Sequence, residues 1–331
     1  MIDLIFTVDY ELYGDGTGSL ADCVIEPAEK LREAFQRHGA PFVAFIEAAE
    51  FEMMESKGND EALPKVREQI RAFYASGIEI GLHLHPQWYG ATCENGRWAL
   101  EYGEYNLCVL PEVRIDSLIR RSIRYLRGLL REREFTPLAF RAGNWLFQPT
   151  RTLAEVLTRN GIRIDSSVFK GGRQRQYGLD YRKAVQNGYY WSFSHRVEEP
   201  DPGGPLIELP VYTRMVPFWK MLKSKRISIQ RKAASRTDRD VGHSKTRWLD
   251  YLRFRYPLKL DYCRMTIHEL RRMTDAIIRE DRQSPGVYRP VVAIGHTKDL
   301  EDQETIVAYL SYLKDRGIRI STFQEVYPRC R

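Results

Sequence analysis

The sequence predicts a parallel α/β barrel built as one domain over residues 1–331. Three observations lead there. Short apolar, β-branched runs alternate with longer helical patterns, which implies a parallel sheet. Several helical patterns end in a residue followed by Gly (His38-Gly39, Ser76-Gly77, Asn160-Gly161, Arg316-Gly317), as helix C-termini do. Seven or eight such units over about 250 residues suit a barrel.

In chain order, the expected strands are 2–8, 41–46, 78–84, 138–141, 162–168, 205–211, 291–295 and 318–322. Each is short and rich in Ile, Val, Leu or Phe. The expected helices are 24–38, 61–76, 113–132, 150–159, 266–280 and 302–315. The stretch 170–260 breaks the alternation. It opens on Lys170-Gly171-Gly172-Arg173, passes the turn signal Asp201-Pro202-Gly203-Gly204 and ends in a basic run. It reads as an elaborated insertion on one face of the barrel.

Composition excludes several classes. Hydrophobic residues make up 43% and aromatics 12%, so the chain can bury a core and is not disordered. No apolar run approaches the roughly 18–20 residues of a membrane-spanning helix. The net charge is +7, with 51 Lys and Arg against 44 Asp and Glu, but it is not evenly spread. Residues 214–259 hold 14 cations and three acids (Asp238, Asp240, Asp250), so the rest of the chain is mildly acidic. Met1–Asp9 carries acids where an export signal would be apolar, and reads as a first strand. The five cysteines lack any CxxC spacing, which suits free thiols in a reducing compartment. The expected location is the cytoplasm.

Ligands of parallel α/β folds sit at strand C-termini. Here those positions hold Asp9-Tyr10-Glu11, then His83-Leu84-His85-Pro86-Gln87-Trp88. Later strands bring Arg141-Ala142-Gly143-Asn144-Trp145, Asp165-Ser166-Ser167 and His296-Thr297-Lys298-Asp299. Asp9 and Glu11 share one face of a strand, and such a like-charged pair calls for a cation or a shared proton. His83 and His85 share the same period-two geometry. Imidazoles and carboxylates converging on one rim point to a metal-dependent hydrolase site.

These segments resemble, in order, the motifs of the polysaccharide deacetylases, carbohydrate esterase family 4, and most of all its divergent members from surface-polysaccharide gene clusters. Phe6-Thr7-Val8-Asp9-Tyr10-Glu11 is similar to the first motif, and Glu79-Ile80-Gly81-Leu82-His83-Leu84-His85 to the second. Phe140-Arg141-Ala142-Gly143-Asn144-Trp145 matches the third. Asp165-Ser166-Ser167 and Ile207-Glu208-Leu209-Pro210 follow, and Ala293-Ile294-Gly295-His296 matches the last. The resemblance implies a distorted (β/α)7 barrel. It implies Asp9 as general base, His296 as general acid and Arg141 orienting the base. A divalent metal, zinc by preference, would be held by Glu11, His83 and His85. Tyr10, Trp88, Asn144 and Trp145 are expected to bind sugar, with Asp165 and Gln87 behind them. Two departures stand out. The two carboxylates of the first motif are one residue apart instead of adjacent, and Gln87 stands four residues after His83, where the family has its second histidine. Either His85 supplies that imidazole or the metal site is weak or absent.

The implied reaction is removal of an N-acetyl group from a sugar during lipopolysaccharide or capsule biosynthesis. The expected substrate is a nucleotide sugar or lipid-linked glycan, with residues 214–259 touching an anionic membrane surface. A catalytically inactive sugar-binding homologue and an amidohydrolase of small cyclic amides or imides are the alternatives. The basic segment has no accompanying helix-turn-helix, zinc finger or RNA-binding motif, so no nucleic-acid partner is expected.

Overall fold

The computed structural model describes residues 1–57, 60–186, 189–217, 219 and 254–331. Seven parallel strands form the scaffold: β1 (Ile2–Tyr10), β2 (Val43–Glu47), β3 (Glu79–Leu84), β4 (Ala139–Ala142), β5 (Ile164–Asp165), β6 (Leu206–Glu208) and β7 (Arg289–His296). Their hydrogen-bonded order is β6-β5-β4-β3-β2-β1-β7. Trp191–Phe193 pairs antiparallel with β6, and Arg319–Ile320 adds to β1. Between β6 and β7 the ring closes only through isolated bridges. Val211 pairs with Phe169 on one side and with Val292 of β7 on the other. The fold is thus the expected distorted (β/α)7 barrel, with its seam between β6 and β7.

The strands are apolar on both faces because helices cover the outside. Helices α1 (Glu26–Arg37), α2 (Ala48–Lys57), α3 (Leu63–Ala75), α4 (Glu112–Leu130), α5 (Arg151–Arg159), α6 (Ile267–Gln283), α7 (Gln303–Asp315) and α8 (Phe323–Cys330) form that layer. Two of them, α2 and α8, lie outside the expected set. Helix α2 follows β2 without a linker and is buried along most of its length, so it lacks a one-sided apolar stripe. Helix α8 contains Pro328, although Thr322 and Glu325 form a capping box at its start.

Three expected strands shrink: 162–168 becomes Ile164–Asp165, 205–211 becomes Leu206–Glu208, where Pro210 has no N–H to continue the ladder, and 318–322 becomes Arg319–Ile320. Within 170–260, the described residues include β6 and a ribbon in which Thr213–Pro217 pairs with Arg255–Lys259. Most of the basic segment, residues 218 and 220–253, lies outside the described residues. No helix among the described residues is long and apolar enough to cross a membrane.

Register sets the rim. Asp9 stands opposite His296 across β1 and β7. Glu47 stands opposite His83, which in turn stands opposite Arg141. Asp165 stands opposite Glu208. Polar side chains far apart in sequence are thereby brought to adjacent positions at the strand C-termini.

Candidate metal and acid–base centre

Alternation along β1 sorts its side chains between two faces. Thr7, Asp9 and Glu11 belong to the site face. Tyr10 points the other way: its hydroxyl donates to Gln69 Oε1 at 2.8 Å and its ring packs on Phe51 and Phe73. The expected sugar contact at Tyr10 is therefore corrected to a core position. Trp88 is also buried, edge-on to Trp98 at 5.2 Å, with no open face for a sugar.

Arg141 is fully buried and uses its whole guanidinium. Nη1 donates to Asp9 Oδ1 at 2.5 Å, Nη2 to Thr7 Oγ1 at 3.0 Å and to Ser166 Oγ at 3.2 Å, and Nε to the Ser166 carbonyl at 2.9 Å. Its guanidinium carbon lies 4.1 Å from the centre of the Phe45 ring. A Cβ on Gly81 would meet that ring at 2.7 Å, so the second motif needs glycine there to seat Phe45 beneath Arg141. Burial raises the pKa of Asp9, but Arg141, His83 and His296 outweigh it and hold the carboxyl below its usual value.

His296 Nε2 lies 3.4 Å from Asp9 Oδ2, and its Nδ1 3.5 Å from Asp299 Oδ2. Asp299 is in turn held by Arg264 at 2.5 Å. Burial lowers the pKa of His296 despite both carboxylates, so the ring rests neutral near pH 7.

The second cluster is Glu11, Glu47, His83 and His85, all buried, with one donor atom from each within 4.8 Å of the others. Glu11 Oε2 is 3.3 Å from His83 Nε2 and 3.3 Å from His85 Nδ1. Glu11 Oε1 accepts from Lys298 Nζ at 2.8 Å. His83 Nδ1 lies 2.9 Å from the Arg141 carbonyl, which can only accept, so Nδ1 carries the hydrogen and the neutral ring offers Nε2 as a lone pair. Burial disfavours charge on His83, but Asp9 and Glu11 prevail and raise its pKa to about 9. Near pH 7 the His83 ring therefore carries a second proton on Nε2, facing Glu11, and a metal ion bound here would take the place of that proton.

Glu47 is the residue the sequence reading missed. Its Oε2 lies 2.8 Å from His85 Nδ1 and accepts the His85 backbone N–H at 2.8 Å. It ends β2, where the strand-end rule reaches it as well; the expected strand stopped one residue short. Lys298 was visible in the last motif, and its role against Glu11 comes from the fold.

Gln87 is fully buried, and neither side-chain amide atom has a hydrogen-bond partner among the described residues. Its amide hydrogen-bonds none of the clustered donor atoms. The chain turns into a 3-10 segment at Pro86, so position 87 leaves the period-two face shared by His83 and His85. Asp165 bonds to Ser167 Oγ at 2.6 Å and shares a hydrogen bond with Glu208; burial raises both, Asp165 to about 6. It hydrogen-bonds neither Arg141 nor a histidine among the described residues, and Ser166 fills the place expected of it beside Arg141.

Trp145 does border the site, its ring edge-on to His296 at 6.5 Å. Asn144 and Trp145 both adopt positive φ, 57° and 68°, a costly backbone for non-glycine residues that clusters at functional sites. Gly143 just before them cannot carry a side chain: its Cβ would sit 2.5 Å from the Leu84 carbonyl and 2.7 Å from the His85 ring.

No protein-family model and no curated sequence matches the chain. Solved structures do. A Mycobacterium smegmatis protein assigned as a polysaccharide deacetylase aligns with TM-score 0.56 and 14% identity, over 100% of this chain and 90% of that one. The Puue allantoinase aligns with TM-score 0.54 and 14% identity, over 98% and 88%. A Pseudomonas aeruginosa PAO1 protein, also assigned as a polysaccharide deacetylase, gives 0.54 and 12%, over 98% and 89%. At such identities the likeness establishes the fold, and chemistry has to be argued from the side chains.

Proposed function

We propose that this chain is a metal-dependent deacetylase of N-acetyl sugars, a divergent relative of the polysaccharide deacetylases whose fold it shares. The observation that carries the reading is the convergence of a buried Glu11–His83–His85 cluster and an Arg141-paired Asp9 beside His296 on one barrel rim. The donor set fits zinc. Ligand atoms around tetrahedral zinc stand about 3.3 Å apart for bonds of about 2.0–2.1 Å, and Glu11 Oε2 stands 3.3 Å from both imidazole nitrogens. Glu11, His83 and His85 would hold the ion, with Glu47 facing the same point. When bound, it supplies a Lewis acid that polarises the acyl carbonyl and acidifies water.

The chain's own groups manage the protons. Asp9 Oδ2, kept ionised by Arg141, takes the proton of the attacking water. His296 Nε2, next to that oxygen, gives a proton to the departing amine. Because His296 rests neutral, it must first receive that proton, and the Asp9 carboxylate beside it stabilises the imidazolium. Trp145 offers a ring face to the sugar. A cytoplasmic precursor of a surface polysaccharide, a nucleotide sugar or lipid-linked glycan, suits the reading, and residues 214–259 would meet an anionic membrane.

Purified protein is assayed for acetate release from N-acetyl sugars and, in parallel, for ring opening of small imides, with metal content measured throughout. Acetate release that disappears in Asp9→Asn while metal content persists supports the proposal. Because Asp9, Glu11 and His296 also bring donor atoms together, metal loss in Asp9→Asn would reverse the assignment of base and ligand. Imide opening alone would move the chain to the cyclic-amide reading. A protein that cannot be loaded with metal would leave only a sugar-binding role.

A further inference from the structure

Three charged groups of the rim have a cation or anion opposite them: Asp9 has Arg141, Glu11 has Lys298 and Asp299 has Arg264. Lys259 is different. It ends the ribbon strand Arg255–Lys259, just before Leu260 and Asp261 join β7 at Ile294. Its Nζ lies 3.9 Å from the centre of the Trp145 ring and 4.9 Å from that of Phe169. Among the described residues it makes no ion pair and no hydrogen bond. Burial lowers its pKa to about 8 against the pull of Asp261 and Asp9, so the group is still cationic at neutral pH.

Lys259 is half-buried, so its ammonium keeps some contact with water, and the two ring faces hold it at the rim without supplying a counter-ion. A second donor lies next in sequence to the same indole. Asn144 Nδ2 is buried with no acceptor among the described residues, on a backbone held at φ 57°, ψ 14°. A charged donor over the Trp145 ring and an amide donor on the residue before it are thus both left without an acceptor among the described residues. What would satisfy both is a group rich in anionic oxygen.

We propose that the sugar taken by this site carries an anionic group, phosphate or carboxylate, that seats against Lys259 and Asn144 at the Trp145 ring. The inference rests on the deacetylase reading for the sugar and on Lys259 for the charge. Lys259 is also the last residue of the basic segment, so the positive charge of the chain reaches the rim at this point.

The test is calorimetric binding to full-length Asp9→Asn protein, which removes turnover. The probes are N-acetylglucosamine, N-acetylglucosamine 1-phosphate and N-acetylneuraminate, giving a neutral, a phosphate and a carboxylate arm. At least one anionic probe should bind tenfold or more tighter than the neutral sugar, as a charge-assisted hydrogen bond allows. Adding Lys259→Met should erase that margin and Lys259→Arg should keep most of it, with melting curves confirming that both variants fold. Binding of the neutral sugar as tight as both anions, a margin that survives Lys259→Met, or no binding of any anionic probe overturns the inference. Failure of the two readings can be told apart. A Lys259-dependent margin in a protein that releases no acetate removes the deacetylase and leaves the anion seat. Acetate release without such a margin does the reverse.

Discussion

Arg141 Nη1 and Asp9 Oδ1 stand 2.5 Å apart, and neither side chain has meaningful contact with solvent. Removing one partner of such a pair leaves the other as an uncompensated buried charge, which typically costs about 3–5 kcal/mol. Arg141→Met should therefore lower unfolding free energy in urea by about that much. Combining it with Asp9→Asn removes both charges, so the double variant should be less destabilised than the sum of the single ones. Strict additivity would mean that Arg141 is held by Thr7 and Ser166 alone and does not serve Asp9.

Glu47 and Gln87 give opposite expectations for metal binding. Glu47 Oε2 accepts the His85 backbone N–H and lies 2.8 Å from the same Nδ1 that faces Glu11, so it stands among the donors to the ion, and its loss should cost at least what loss of a carboxylate behind a ligand does, typically about 10–100-fold in affinity. Glu47→Gln should weaken zinc binding by at least that factor in a competition titration. Gln87→Ala should change it less than threefold, because its amide hydrogen-bonds none of the donor atoms. If Gln87→Ala loses metal and Glu47→Gln keeps it, the cluster has been drawn around the wrong residue.

The contrast between these two residues also shows what a sequence can carry. Asp9, Glu11, His83, His85, Arg141 and His296 were legible because each ends an apolar strand, and parallel register must bring strand ends together. Glu47 obeys the same rule, but its strand is followed at once by α2, and the helix has no apolar stripe to mark where β2 stops. Tyr10 and Trp88 were misplaced for another reason. Aromatic residues next to site residues look the same in sequence whether they face the rim or the helical layer, and only the alternation of β1 and the turn after His85 separate the two. Lys259 could not be ranked among fourteen cations of its segment until Trp145 and Phe169 were seen beneath it.

Glu79 tests whether the outer layer is understood as well as the rim. It opens β3, and its Oε2 accepts the backbone N–H of Gln324 at 3.0 Å, while Oε1 is buried without a partner. Burial, only partly offset by the surrounding donors, raises its pKa from 4.5 to about 7. Between those values the folded chain keeps a proton that the unfolded chain has released, so this group's contribution falls as pH rises through that window. Above pH 7 the full penalty applies, about 3 kcal/mol. Glutamine is neutral at every pH and can still accept from Gln324. Glu79→Gln should therefore raise unfolding free energy by about 3 kcal/mol at pH 8.5 and by less than about 1 kcal/mol at pH 5, read from urea titrations of variant and parent in matched buffers. Taking the difference between the two proteins cancels every other titrating group, so an equal effect at both pH values would show that Glu79 is ionised at pH 5 and that the packing of α8 against β3 admits water.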